Sequence, residues 1–153
     1  MHWKLTNDVW WGDRHAVSEL ADKVGSVLCI AHNPELSPGS THYNPIVLHG
    51  MVPYFRLGRH DDQECSGRYL MELTSLIEIC LQHKPLLVHC YVGSHRSPAV
   101  ALYAAFMDLK IDSIKELVEL SARMYALKNN IRVGIYHKTL WNHMVDSCIP
   151  KGV

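Results

Sequence analysis

The stretch from Leu86 to Leu109 constrains this chain more than any other. Leu86-Leu87-Val88 is a short, continuous apolar run, the pattern of a strand buried on both faces. His89-Cys90-Tyr91-Val92-Gly93-Ser94-His95-Arg96-Ser97-Pro98 follows, with five residues between Cys90 and Arg96. Val100, Ala101, Ala104, Ala105 and Leu109 then recur at helical spacing, and their small size suits close approach to a sheet. A proline in the first helical turn gives up no hydrogen bond, so Pro98 marks a helix start. The stretch therefore reads as a buried strand, a tight loop and a buried helix.

The rest of the chain alternates in the same way. Trp3–Leu5 and Val9–Trp11 read as short strands, with Trp10 and Trp11 as core and rim packing. Asp13 is placed to cap a helix through Ala16, Val17, Leu20 and Val24, which Gly25 ends. Ser26–Ala31 reads as a buried strand, and the Pro-, Asn- and Gly-rich stretch from Asn33 to Pro45 as a long loop near the functional face. Val52–Leu57 reads as a further strand. A helix after Gly67 puts Leu70, Leu73, Leu76, Ile77 and Cys80 on one face. Asp112 or Ser113 caps the next helix, with Glu116 as capping-box partner of Ser113. A last helix covers about Val133–Val145, and Ile149–Val153 reads as a frayed tail. These elements predict one α/β domain over residues 1–153. Its central sheet is mostly parallel or mixed, with about four to five strands and helices on both faces.

Composition narrows the function classes. The chain has 153 residues, enough for one sizeable core, and is 48% hydrophobic and 20% charged. Fifteen basic residues balance fifteen acidic ones, which argues against a broad nucleic-acid surface. No apolar run has membrane-spanning length. Five cysteines and no secretory signal point to free thiols in the cytoplasm, with Cys65, Cys80 and Cys148 structural or incidental. The eleven histidines form no metal-ligand spacing, so no metal or cofactor is expected.

The loop carries the chemistry. A strand that turns tightly into a helix aims backbone N–H groups at one point, next to the positive end of the helix. Tyr91, Val92, Gly93, Ser94, His95 and Arg96 would thereby cradle a phosphate, with Gly93 allowing close approach and the Arg96 fork holding two oxygens. The same field favours a thiolate at Cys90, placed below the phosphorus for in-line attack. His89 is placed to brace the loop through its carbonyls. The Ser97 hydroxyl can donate to the Cys90 sulfur as it leaves.

His89-Cys90-x-x-Gly93-x-x-Arg96-Ser97 resembles the signature of the cysteine-based protein tyrosine phosphatase superfamily. The chain length resembles its compact dual-specificity branch. The resemblance spans nearly the whole chain and implies a phosphate-monoester hydrolase with Cys90, Arg96 and Ser97 in its catalytic loop. It departs at His95, where many relatives carry glycine or serine. Rhodanese loops are shorter between cysteine and the following position.

Relatives place a general acid on a loop after a strand and before a long helix. Asp61 and Asp62 lie there, 29 and 28 residues ahead of Cys90. Asp61-Asp62-Gln63-Glu64 resembles a run whose first aspartate is the acid, which favours Asp61 and leaves Asp62 supporting. Some relatives also carry a cysteine on a strand beside the signature strand. The resemblance thus makes Cys29 a candidate redox partner for oxidised Cys90, an expectation tested by peroxide treatment and mass spectrometry. The expected substrate is a phosphoprotein. Tyr91, Val92 and Ser94 bring no basic residue to the loop, which argues against a phosphoinositide. The alternatives are a phosphate-binding module without catalysis and an RNA 5′-phosphatase of the same fold. No membrane partner is expected, and a monomer is the default.

Overall fold

A computed structural model of the chain describes residues 1–20, 22–31, 52–58, 66–91, 96–129, 131 and 135–149. The strands are β1 (His2–Lys4), β2 (Val9–Gly12), β3 (Ser26–Cys29), β4 (Tyr54–Arg56) and β5 (Leu86–His89). The helices are α1 (Ala16–Leu20), α2 (Gly67–Cys80), α3 (Arg96–Asp108), α4 (Ile114–Leu127) and α5 (Ile135–Cys148). The expected loop from Asn33 to Pro45 and the tail beyond Ile149 lie outside the described residues.

The five strands form one mixed sheet in the order β1-β2-β5-β3-β4. β1 runs antiparallel to β2, and the other three pairings are parallel. β5 enters the sheet last yet lies between β2 and β3. The carboxyl ends of three parallel strands therefore meet at one edge, where open α/β sheets place their ligands.

Alternation along the strands sorts the side chains into two unequal layers. Val9, Trp11, Leu28, Ile30, Leu86 and Val88 face the larger core, with Leu73 and Ile77 of α2, Leu117 of α4 and Leu140 of α5. On the other face Trp10, Val27 and Leu87 pack against Ala16 and Leu20 of α1 and against Val24. Each large side chain buried completely contributes roughly 1.5–3 kcal/mol. α3 lies at the centre of the larger layer. Every residue from Arg96 to Phe106 is buried, and Ala99, Ala101, Ala104 and Ala105 let the helix sit close to the sheet.

The caps explain several boundaries. Ser66 Oγ accepts the Tyr69 N–H at 3.1 Å and starts α2. Ser113, rather than Asp112, caps α4 by accepting the Glu116 N–H at 3.2 Å. Two helices depart from the sequence reading. α1 ends at Leu20 instead of running to Val24: the Lys23 N–H donates to the Leu20 carbonyl at 2.9 Å, closing a turn. Val24 still reaches the core from that turn. At the other end of the chain α5 runs three residues beyond Val145, because Cys148 packs into the larger core and prolongs the buried face.

Candidate active site

β5 ends at His89, whose Cα is in register with Gly12 of β2 and Cys29 of β3. The chain then leaves the sheet at Cys90 and returns at Arg96, the first residue of α3. Four polar or charged residues are buried among the described residues: Ser26, His89, Arg96 and Ser97. Three of them belong to this one motif. A fold stabilised mainly by apolar burial does not concentrate such groups without chemical cause. Arg96 is only 4% exposed and begins a buried helix.

A carbonyl on the neighbouring strand ties the two ends of the loop together. The Gly12 oxygen accepts the Cys90 N–H at 3.3 Å and the Ser97 hydroxyl at 3.1 Å. Cys90 Sγ lies 3.2 Å from Ser97 Oγ. With Cys90 a thiol, protons run from sulfur to Ser97 and from Ser97 to Gly12. With Cys90 a thiolate, the single Ser97 proton turns to sulfur, and Gly12 keeps the Cys90 N–H. Ser97 thus has two acceptors for one proton, which suits a hydroxyl that must follow the charge on sulfur.

Gly12 admits no larger residue. A Cβ there would lie 2.4 Å from Ala16 Cβ and 2.8 Å from the Met1 carbonyl oxygen. The glycine lets β1, α1 and the loop carbonyl contact converge on one residue.

Beneath the loop His89 faces Cys29. Both are buried, and their Cα atoms are paired across β5 and β3. Neither imidazole nitrogen makes a hydrogen bond of ordinary geometry among the described residues. Burial works against the imidazolium, but the Cys29 sulfur and the Cys90 backbone outweigh it, and the His89 pKa is raised; Arg56 opposes. Burial likewise pushes the Cys29 thiol up. The charge and hydrogen bonding of His89, with Ala31 and Tyr54, reverse this and bring it from 9.0 to about 7. Cys80 shows the contrast: burial pushes it up to about 11, with only Ser26 opposing.

The sign of the resulting pH dependence follows from both groups. The lowered Cys29 pKa contributes stability that is lost as pH falls through about 7. The raised His89 pKa contributes stability that is lost as pH rises through its folded value. In the Cys90→Ser protein, ultraviolet thiolate absorbance should therefore rise with a step near pH 7 that Cys29→Ala removes. A step only near the ordinary 9.0 would refute the pairing.

A scan against protein-family models gave no match, and a search of curated proteins gave none. Solved structures match over almost the whole chain. A mutant form of Tk-PTP superposes with a TM-score of 0.72 at 16% identity, covering 95% of this chain and 94% of that one. A variant of human DUSP28 gives 0.68 at 18% identity, covering 95% and 94%. PTPMT1 in complex with PI(5)P gives 0.68 at 12% identity, covering 95% and 96%. The fold is that of the compact tyrosine and dual-specificity phosphatases.

Within this phosphatase fold, Cys90 and Ser97 meet at the end of the central strand, Arg96 heads the helix beside them, and His89 lies behind. Tyr91 is half-buried at the start of the loop. Val92, Gly93, Ser94 and His95 lie outside the described residues, as do Asp61, Asp62 and Cys65. Cys29 and Cys90 are both free thiols, Cys29 at the end of β3 and Cys90 just after the adjacent β5, with Cys29 engaged by His89. Sequence reasoning missed Gly12 as the carbonyl that joins Cys90 to Ser97, and it missed Arg14, whose backbone N–H and Nη1 both donate to the Tyr91 carbonyl at 3.1 Å. A glycine after two tryptophans was read only as punctuation, and no local pattern links it to a cysteine far along the chain.

Proposed function

We propose that the chain is a phosphatase that hydrolyses phosphomonoesters on proteins, at phosphotyrosine and at phosphoserine or phosphothreonine. The observation that carries the reading is the convergence of Cys90, Ser97 and Arg96 at the end of the central parallel strand of a phosphatase fold. In the first step the Cys90 thiolate attacks phosphorus, and the bond to the leaving oxygen breaks. Asp61 gives that oxygen its proton. A phosphocysteine results. In the second step water attacks the same phosphorus, Asp61 takes a proton from the water, and the thiolate leaves with the Ser97 hydroxyl turned toward it. The Arg96 fork and the loop amides hold the equatorial oxygens throughout, so stabilisation is electrostatic and preorganised.

A phosphoprotein suits the loop better than a lipid. PTPMT1 is described with PI(5)P, but Tyr91, Val92 and Ser94 here carry no positive charge to meet further phosphates on an inositol ring. No helix among the described residues is long and apolar enough to cross a membrane. The pairing of Cys29 with His89 also supports Cys29 as redox partner, since a thiol whose pKa, about 7, lies near ambient pH is the best attacker of an oxidised Cys90.

Hydrolysis of p-nitrophenyl phosphate and of a phosphotyrosine peptide tests the reading. The wild-type chain should hydrolyse both. Asp61→Asn should lower kcat on the peptide by about 10²–10³-fold and on p-nitrophenyl phosphate by less, because nitrophenolate leaves without a proton. A larger loss in Asp62→Asn would move the acid to Asp62. Tight phosphate binding by a wild-type chain that turns over neither substrate would make this a binding module.

A further inference from the structure

The end of the molecule remote from Cys90 carries a surface groove that the proposed chemistry does not use. It runs along one side of α4, where Glu116, Glu119, Arg123 and Leu127 recur at helical spacing. Its two parts, of about 270 and 620 Å³, share Leu109 and Arg123. The turn between β1 and β2 walls the larger part. In that turn the Asp8 carbonyl accepts the Leu86 N–H at 2.8 Å, so the groove lies at the start of β5, whereas Cys90 follows its end. Leu109 is 52% exposed and Leu127 43%, so the groove leaves two large apolar side chains open to water.

The charges in the groove are sorted by sign along α4. Glu116 and Glu119 line the smaller part, and Lys4 lines the larger, with Arg123 where the two meet. Asp8 and Asp108 also line the larger part, but Lys84 meets them at 4.0 and 2.6 Å. Lys4 and Arg123 touch only neutral groups. Lys4 Nζ lies 4.4 Å from the centre of the Trp10 ring, and Arg123 Nη1 donates to the Leu5 carbonyl at 3.3 Å. A glutamate and an arginine four apart on a helix can close on each other. Here Arg123 turns to Leu5 instead, and among the described residues no ion pair answers Glu116 or Glu119.

A surface with acid at one end, base at the other and a leucine between them is complementary to itself under a two-fold rotation. About an axis perpendicular to α4, Leu109 meets Leu109 of the second copy, and the glutamates of each copy meet Arg123 and Lys4 of the other. We propose that a second copy of this chain occupies the groove, giving a two-fold dimer through α4 in place of the monomer expected from the sequence. The contact lies at the end of the sheet away from Cys90, so both copies stay open to substrate. The proposal does not depend on the phosphatase reading.

Sedimentation equilibrium on the full chain tests it. The wild-type chain should dimerise with a Kd on the order of 10 µM at low salt, and less tightly at high salt as the opposed charges are screened. Arg123→Glu sets like charges against each other and should weaken the dimer about tenfold or more, as should Glu116→Lys combined with Glu119→Lys. Mixed in equal amounts, these two variants should form a mixed dimer close to wild type in affinity, because the charges across the axis are again opposite. Leu109→Ser should also weaken the dimer about tenfold, with the salt dependence kept. All these positions are exposed, so thermal midpoints and hydrolysis of p-nitrophenyl phosphate per chain should stay near wild type. A wild-type chain that remains monomeric at about 100 µM in low salt overturns the proposal. So does a dimer that Arg123→Glu leaves unchanged, or a mixture of the two charge variants that fails to associate.

Discussion

Cys90→Ser is expected to reduce hydrolysis of p-nitrophenyl phosphate by about 10⁴-fold or more while leaving the fold intact. The reason lies in what surrounds the sulfur. Cys90 Sγ lies 3.2 Å from the hydroxyl of Ser97, in the first turn of α3. A serine hydroxyl keeps its proton at neutral pH, and Ser97 is no base that could remove it. The replacement is smaller by little, is itself a hydrogen-bond donor and acceptor, and sits beside Ser97, so packing is nearly unchanged. Initial rates, a thermal melt and calorimetry with inorganic phosphate check the three parts together. Residual turnover above a hundredth of wild type would show that Cys90 is not the nucleophile.

Arg96→Lys is expected to lower kcat by about 10²–10³-fold, equivalent to roughly 2.7–4 kcal/mol of lost transition-state stabilisation. The charge is kept, so the loss measures geometry. A planar fork spans two equatorial oxygens as they spread in the transition state, and an ammonium on a flexible stem meets one at a time. Arg96 is buried and begins a helix that is buried through Phe106. The lysine cannot adjust by moving its backbone. Steady-state kinetics with p-nitrophenyl phosphate should show the fall mainly in kcat, with a smaller rise in KM. A kcat within threefold of wild type would remove Arg96 from the transition state.

Much of the site was legible in the sequence. Leu86-Leu87-Val88 reads as a doubly buried strand because a central parallel strand has no polar face. Arg96 to Asp108 reads as a helix because proline at the first turn and an alanine-rich run agree. The cysteine, the arginine and the following serine carry their chemistry in their spacing. Boundaries were less legible where packing overrode pattern. Val24 has helical spacing from Leu20, yet it is buried from a turn. Cys148 extends α5 because a core surface continues beneath it.

Partners across the sheet were not legible. Cys29 was read from a resemblance as a redox partner for Cys90, and its pairing with His89, which brings its pKa to about 7, is visible only in the register of β3 and β5. Arg14 follows an aspartate in an ordinary polar turn, and nothing near it in the chain mentions Tyr91. Gly12 holds Cys90 and Ser97 through a carbonyl that every residue type possesses.

The sequence by itself determined the local unit, a strand, a loop and a helix, together with the side chains proposed to do the chemistry. Local hydrogen bonds, helix capping and apolar periodicity act over a few residues and are written in those residues. The strand order alone decided what lies against Cys90, Tyr91 and Ser97. Placing β5 between β2 and β3 brings Gly12 and Arg14 to one side of the signature and Cys29 to the other. That order is a sum of long-range pairings, each made through backbone groups common to every residue, so no local pattern could announce it.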